Sequence, residues 1–231
     1  MSTQLFLAEL PDAIDEEMIN KAICLLPPIK RERIKSFYHI EDSIRSLLGY
    51  MMLQKVLPRS QYPDSISFTE YGKPFVKNQN HFQFNISHSM RLVVLAVSKY
   101  EIGVDIEYIK PVCLDSMSGA LTKEEYAYLQ SLPDDEAEKY FYTIWTVKES
   151  FLKMIGTGLS LSPDRLNTNV YFDRPTITLD GKQQNVSFQT FQVECRYQLT
   201  VCIRGTCQIN NMETLDAAEL LKDLVENENM K

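Results

Sequence analysis

From residue 14 to residue 57 the apolar positions return every three or four residues, the period of a helix that buries one face. Segments 14–26 and 30–37 read as helices, and "EDSIRSLLGYMMLQKVL" (41–57) as a longer one. Acidic residues open it, Leu47, Leu48, Met51, Met52 and Val56 form its stripe, and Pro58 follows its end. The pattern then changes to short strands: "SISF", "PFV", "FQFNIS", "LVVLAVS" and "IGVDIE", separated by the turn chemistry of "YGKP" and "SHSM". The same order repeats further on. "LTKEEYAYL" places Thr122 and Glu125 as a capping box, a helix is predicted over 135–155, and strands return at "NVYF", "TITL", "VSFQTFQVE" and "YQLTVCIR". "METLDAAELLKDLVE" reads as a closing helix. Helices followed by antiparallel strands, twice over, predict an α+β fold with a boundary at "KYEIG", dividing the chain into 1–101 and 102–231.

A length of 231 residues fits one large domain or two modest halves, and 44% hydrophobic with 24% charged residues is ordinary globular usage. No apolar run approaches the ~20 residues that cross a bilayer, and "MSTQLFLAELPD" lacks the basic start and cleavage site of a signal peptide. The expectation is a cytoplasmic protein with no membrane partner. Cys24, Cys113, Cys195, Cys202 and Cys207 are odd in number and form no CxxC pair, which predicts reduced thiols and no zinc. A net charge of −7 argues against a nucleic-acid surface, so any bound anion must meet a local basic cluster. "KRERIK" (30–35) is one.

"IGVDIE" poses a chemical question. On a strand Asp105 and Glu107 share one face while Ile102, Val104 and Ile106 share the other. Two neighbouring carboxylates repel unless water, a proton or a cation separates them. In "FYTIWTVKESFLKMIGTGL", helical spacing puts Trp145, Glu149 and Lys153 on one side, as an exposed ion pair or as part of a site. Lys148 falls beside Phe141, Leu152 and Ile155 on the buried side, where it either snorkels or meets an anion. "GTG" marks the end of that helix. Ser87 and His88 follow a strand in "FNISHS", and "EYGKPFV" holds Lys73 at the tip of a turn stiffened by Pro74. Three histidines in the whole chain are too few for a histidine metal site.

Taken together, "KRERIKSFYHIEDSIRSLLG", "EYGKPFV", "FNISHS", "IGVDIEYIKP" and "FYTIWTVKESFLKMIGTGLSL" resemble the 4′-phosphopantetheinyl transferases of the Sfp type in order and spacing. The resemblance implies two similar α+β halves related by a pseudo-twofold, with the active site between them. It implies transfer of the phosphopantetheine arm of coenzyme A to a serine of an apo acyl or peptidyl carrier protein, dependent on Mg²⁺, by a monomer. Asp105, Glu107 and Glu149 match the metal carboxylates. Lys148 and Lys153 match the lysines facing the phosphates, and Lys30, Arg33, Ser46, Gly72, Lys73, Pro74, Ser87 and His88 match positions lining the coenzyme A site. The first half would then recognise coenzyme A and the second carry the metal and catalytic residues. Glu149, a metal-bound water and Glu125 are the candidates for the base. An Arg-Phe-Phe-like cluster common in the family is missing from "MSGALTKEEY", which bears on carrier preference. A metal-dependent phosphodiesterase or pyrophosphatase, or a non-catalytic coenzyme A-binding protein, are the alternatives.

Overall fold

The structure is a computed structural model that describes residues 3–12, 15–26, 28–57, 66–79, 81–170, 175–206, 209 and 211–228. Two runs of like topology make up the chain. The first starts with β1 (Gln4–Glu9) and passes through α1 (Glu16–Cys24), α2 (Pro28–Lys35) and α3 (Ile40–Val56). A small hairpin, β2 (Ile66–Phe68) and β3 (Pro74–Val76), leads to the antiparallel pair β4 (Gln83–Ser89) and β5 (Leu92–Ser98). The second run starts with β6 (Ile102–Tyr108) and continues through α4 (Leu114–Met117), α5 (Lys123–Gln130) and the long α6 (Asp134–Ile155). A small sheet, β7 (Leu166–Asn169), β8 (Thr176–Leu179) and β9 (Lys182–Gln183), precedes the pair β10 (Val186–Val193) and β11 (Tyr197–Arg204).

The sheet orders β1-β5-β4 and β6-β11-β10 correspond strand for strand, so the two halves repeat one α+β plan. Their sheets face each other across a core of Leu5, Leu7, Val94 and Ala96 from one side and Ile102, Val104, Ile106 and Val201 from the other. Alternate residues of the same strands point outward to the helices: Phe6, Ala8, Val93 and Leu95 pack with α1 and α3. In the second half α6 buries Phe141, Ile144, Val147 and Phe151 in a third core.

Two elements differ from the sequence reading. β1 lies inside its sheet and was not anticipated, because "QLFLAE" is apolar on both faces and lacks the alternation that marks a half-exposed strand. "METL" is not helical: β12 (Met212–Leu215) pairs parallel with β1, and α7 (Ala217–Glu228) begins where the Asp216 carboxylate accepts Glu219 N–H at 2.9 Å. The chain thus closes back on its first half, with α7 against α1 and α3. The expected capping box at Thr122 and Glu125 is present. The strand foreseen at "NVYF" is seen only in part, and Pro58 and Cys207 lie outside the described residues. Among the described residues no helix is long and apolar enough to cross a membrane.

One contact sets the second half. A Cβ built on Gly103 would lie 1.9 Å from Ser150 O and 2.4 Å from Met154 N, so α6 rests directly on the β6 backbone. Only glycine permits that approach. Gly103→Ala must push α6 away, and the expected cost is about 3 kcal/mol or more, the upper part of the range for overpacking. Urea unfolding of the variant beside the parent chain measures it.

Candidate active site

With Gly103 letting α6 rest on the strand, Asp105 and Glu107 share the β6 face that meets α6, while Ile102, Val104 and Ile106 fill the core behind. Lys153 of α6 sets its Nζ 2.5 Å from Asp105 Oδ1 and donates to Ser87 Oγ at 2.9 Å. The Ser87 hydroxyl in turn donates to the same Asp105 oxygen at 3.0 Å. Since Ser87 belongs to β4 and the other two to the second half, the cluster sits on the seam between the halves.

The carboxylates are held under electrostatic stress. Burial raises Asp105 above the usual carboxylate range, against the pull of Lys153 and Ser87. Burial and then the charge of Asp105 raise Glu107; Glu149 is raised by burial, by Asp105 and, more weakly, by Glu107. Asp105 Oδ2 and Glu149 Oε1 are buried with no hydrogen-bond partner. A buried, unpartnered anionic oxygen is expensive, and two beside each other call for a cation.

Whether a divalent ion fits can be judged from these donors. Among the described residues no group of three or more His, Cys, Asp and Glu side chains stands ready-made as a metal cage. The Lys153 ammonium occupies one side of Asp105 and the Ser89 hydroxyl holds Glu107 Oε2 at 2.9 Å. The free oxygens of Asp105 and Glu149 are nevertheless hard donors of the kind Mg²⁺ selects. That ion is usually held by one or two carboxylates, with water and substrate phosphates completing its shell. The residues present therefore fit Mg²⁺ with a bound phosphate ester, though not a cage built of protein alone.

Lys148 and Glu125, expected among the catalytic groups, are placed differently. Both side chains are fully buried, with Lys148 Nζ 2.6 Å from Glu125 Oε2. The ammonium spends its other donors on Ala120 O at 2.9 Å and Pro163 O at 3.0 Å. Glu125 also accepts from Thr122 N, Thr168 N and Thr168 Oγ1. With three donors used, Lys148 has none left for a phosphate, and Glu125 has no open face toward a serine. The helical period had put Lys148 on the buried side, but its partner lies in another helix and is not visible from spacing.

The residues expected around coenzyme A are more dispersed. Lys30 is 5% exposed, and its Nζ sits 3.4 Å from the centre of the Tyr50 ring with no hydrogen-bond partner. Burial, helped by the charge of Arg33, lowers its pKa to about 7. Arg33 itself is exposed and Ser46 half-buried on α3. Lys73 donates to Met154 O at 2.7 Å and Ile102 O at 3.2 Å, so it ties its hairpin to the end of α6; burial lowers it to about 8. Gly72 takes a φ of 81° in that turn, and Pro74 opens β3. His88 shows an outer edge near the cluster, and its packed side together with the Arg45 and Lys153 cations holds it below the usual imidazole value. Arg45 was missed in the sequence. It spans from Asp42, at 2.6 Å, to Met90 O, at 2.7 Å, and so braces α3 against the turn after β4.

At the seam, then, buried carboxylate oxygens of Asp105 and Glu149 and the Lys153 ammonium meet Ser87 of the first half, while the other expected cations lie apart from them. Comparison with known proteins sharpens this. Residues 101–202 match the family described as the 4′-phosphopantetheinyl transferase superfamily, and residues 14–100 match 4′-phosphopantetheinyl transferase, N-terminal. Over 194 residues the chain is 36% identical to 4′-phosphopantetheinyl transferase Sfp of Bacillus subtilis (strain 168), covering 82% of this chain and 87% of that one. It is 32% identical over 223 residues to a 4′-phosphopantetheinyl transferase of Bacillus pumilus, covering 91% and 94%. An L-aminoadipate-semialdehyde dehydrogenase-phosphopantetheinyl transferase of Mus musculus is 28% identical over 207 residues, covering 78% and 67%. The chain belongs to the 4′-phosphopantetheinyl transferases, and among them to the Sfp type.

Two outcomes follow from the buried cations. Lys148→Met leaves Glu125 charged and uncompensated, so a loss of about 3–5 kcal/mol is expected; adding Glu125→Gln should recover part of it. Thermal melts of both variants test this. For Lys30, the ordinary value is 10.5 and the folded value about 7. Between them the unfolded chain holds a proton that the folded chain has released, so stability rises with pH across that window; below about 7 both states are protonated and the burial cost is felt in full. Lys30→Met should remove this share of the rise, read as the difference between the two chains' urea midpoints as pH increases.

Proposed function

We propose that the chain carries the phosphopantetheine arm of coenzyme A to the serine hydroxyl of an apo-carrier protein, with Mg²⁺ held by Asp105, Glu107 and Glu149. The supporting observation is the pair of unpartnered buried oxygens, Asp105 Oδ2 and Glu149 Oε1, in the cluster where Lys153 binds the other oxygen of Asp105. The serine oxygen forms a bond to the phosphorus that bears the pantetheine arm, the bridge to the neighbouring phosphate breaks, and adenosine 3′,5′-bisphosphate leaves. Bound there, the metal ion supplies charge neutralisation to the pyrophosphate.

The chain's own residues supply the rest. Lys153, 27% exposed, turns its ammonium from Asp105 toward the bridging phosphate oxygens and stabilises charge as the bridge breaks. With Oε1 assigned to the metal, Glu149 takes the serine proton through its other carboxylate oxygen, Oε2. Glu125 is not available for that task because its oxygens are already engaged. The Glu125–Lys148 pair instead fixes the neck of α5 and the 163–168 segment against α6.

The first half, 1–101, recognises coenzyme A, and the second, 102–231, carries the metal and catalytic groups. Arg33, His88 and Ser46 meet the nucleotide phosphates, Lys30 leaves the Tyr50 ring for them, and Ser87 closes the site at the seam. The turn of Gly72, Lys73 and Pro74 receives the adenine. Both halves of the site lie in one chain, so a monomer completes it.

Incubation with coenzyme A, Mg²⁺ and an apo-carrier tests the activity: intact mass should show the carrier gaining one phosphopantetheine arm. Hydrolysis of coenzyme A with an unchanged carrier would contradict it. Lys153→Ala should lower kcat on the order of 100-fold with little change in KM for coenzyme A, the scale for one preorganised donor. A partner in a wet ion pair only would leave kcat nearly intact.

A further inference from the structure

β4 and β6 lie side by side as edge strands of their two sheets, and no backbone ladder joins them. The free N–H groups along β6 are met by side chains. Asn85 Oδ1 accepts from Val104 N at 2.8 Å, Ser87 Oγ from Ile106 N at 3.4 Å and Ser89 Oγ from Tyr108 N at 3.0 Å. These three residues alternate along β4, so one polar face of one strand satisfies the edge of another.

The serine rungs do a second job. A hydroxyl that accepts from a backbone N–H keeps its own proton to donate. Ser87 gives that proton to Asp105 and Ser89 gives its proton to Glu107 Oε2, at 3.0 and 2.9 Å. Each serine therefore binds a β6 N–H and the carboxylate of the residue just before it. The Asn85 rung reaches Val104, and the residue before that is Gly103, which has no side chain to hold. The same joint thus contains rungs with a carboxylate and one without.

We propose that Ser89 is a positioning residue for the transfer: it fixes the Glu107 carboxylate in the seam so that the acidic group is set for a divalent ion. The Trp145 side chain of α6 also pulls the Glu107 pKa down, so the carboxylate is met from both halves. In this role Ser89 acts only through Glu107. The inference rests on the reading of Asp105, Glu107 and Glu149 as the metal carboxylates.

The test compares Mn²⁺ binding, followed by electron paramagnetic resonance at saturating coenzyme A, in the parent chain, Ser89→Ala, Ser89→Thr and Asn85→Ala, with melting curves beside it. Ser89→Ala should weaken Mn²⁺ binding by about tenfold, the usual loss when a partner of a ligating group is removed. Its KM for coenzyme A in the transfer assay should stay near the parent value, and Ser89→Thr, which keeps the hydroxyl, should restore metal binding. Asn85→Ala orphans a buried N–H and should lower the melting temperature while leaving Mn²⁺ binding near the parent value. Equal metal affinity in Ser89→Ala and the parent overturns the role of Ser89. Equal losses of affinity in Asn85→Ala and Ser89→Ala overturn it as well, since the joint as a whole would then be responsible. A parent chain that takes up no Mn²⁺ beyond that bound by coenzyme A overturns the metal reading itself, and this inference with it.

Discussion

Backbone touches backbone where α6 crosses β6, and the absence of a side chain at Gly103 is what allows it. The distances between the α6 and β6 side chains of the site depend on that approach. A helix held one methyl group further out would carry Glu149 and Lys153 away from Asp105 and Glu107, and the 2.5 Å contact of Lys153 with Asp105 would be lost. The helix is anchored at both levels: Lys73 from the first half binds the Met154 carbonyl near its end, and the buried Lys148 fastens its middle to Ala120 and Pro163. Sequence, helix seating and site geometry are in this sense one problem.

The two buried charge groups solve different tasks. Glu125 and Lys148 are fully satisfied, with every strong donor and acceptor used, which is the condition under which a buried ion pair is tolerable. The Asp105 cluster is left unsatisfied: two oxygens lack partners, and the charge of Asp105 raises both Glu107 and Glu149. Such an arrangement lowers the stability of the free chain and is relieved only when positive charge enters. Local inconsistency with stability is the expected signature of a working site.

Much of this was legible in the sequence. Helix and strand periods gave the α+β plan and most elements, and the alternation in "IGVDIE" separated its carboxylate face from its core face. Lys148 was marked by its angular position. What the periods did not carry was contact between distant segments. The partner of Lys148 comes from α5, and the interior strand β1 has no polar face to announce it. The roles of Asn85 and Ser89 appear only when β4 is laid beside β6, although the alternating polar residues of "FNISHS" within an apolar strand were a visible signal.

The central claim is that the seam holds mutually repelling carboxylates awaiting a divalent ion, and Asp105→Asn tests it most directly. The amide keeps the size of the carboxylate and removes its charge. Thermal unfolding of both chains with coenzyme A, in the presence and absence of Mg²⁺, gives the answer. The account predicts that without metal Asp105→Asn melts above the parent chain, and that Mg²⁺ raises the melting temperature of the parent but not of the variant. A variant that melts lower without metal and keeps the full Mg²⁺ increment would contradict it.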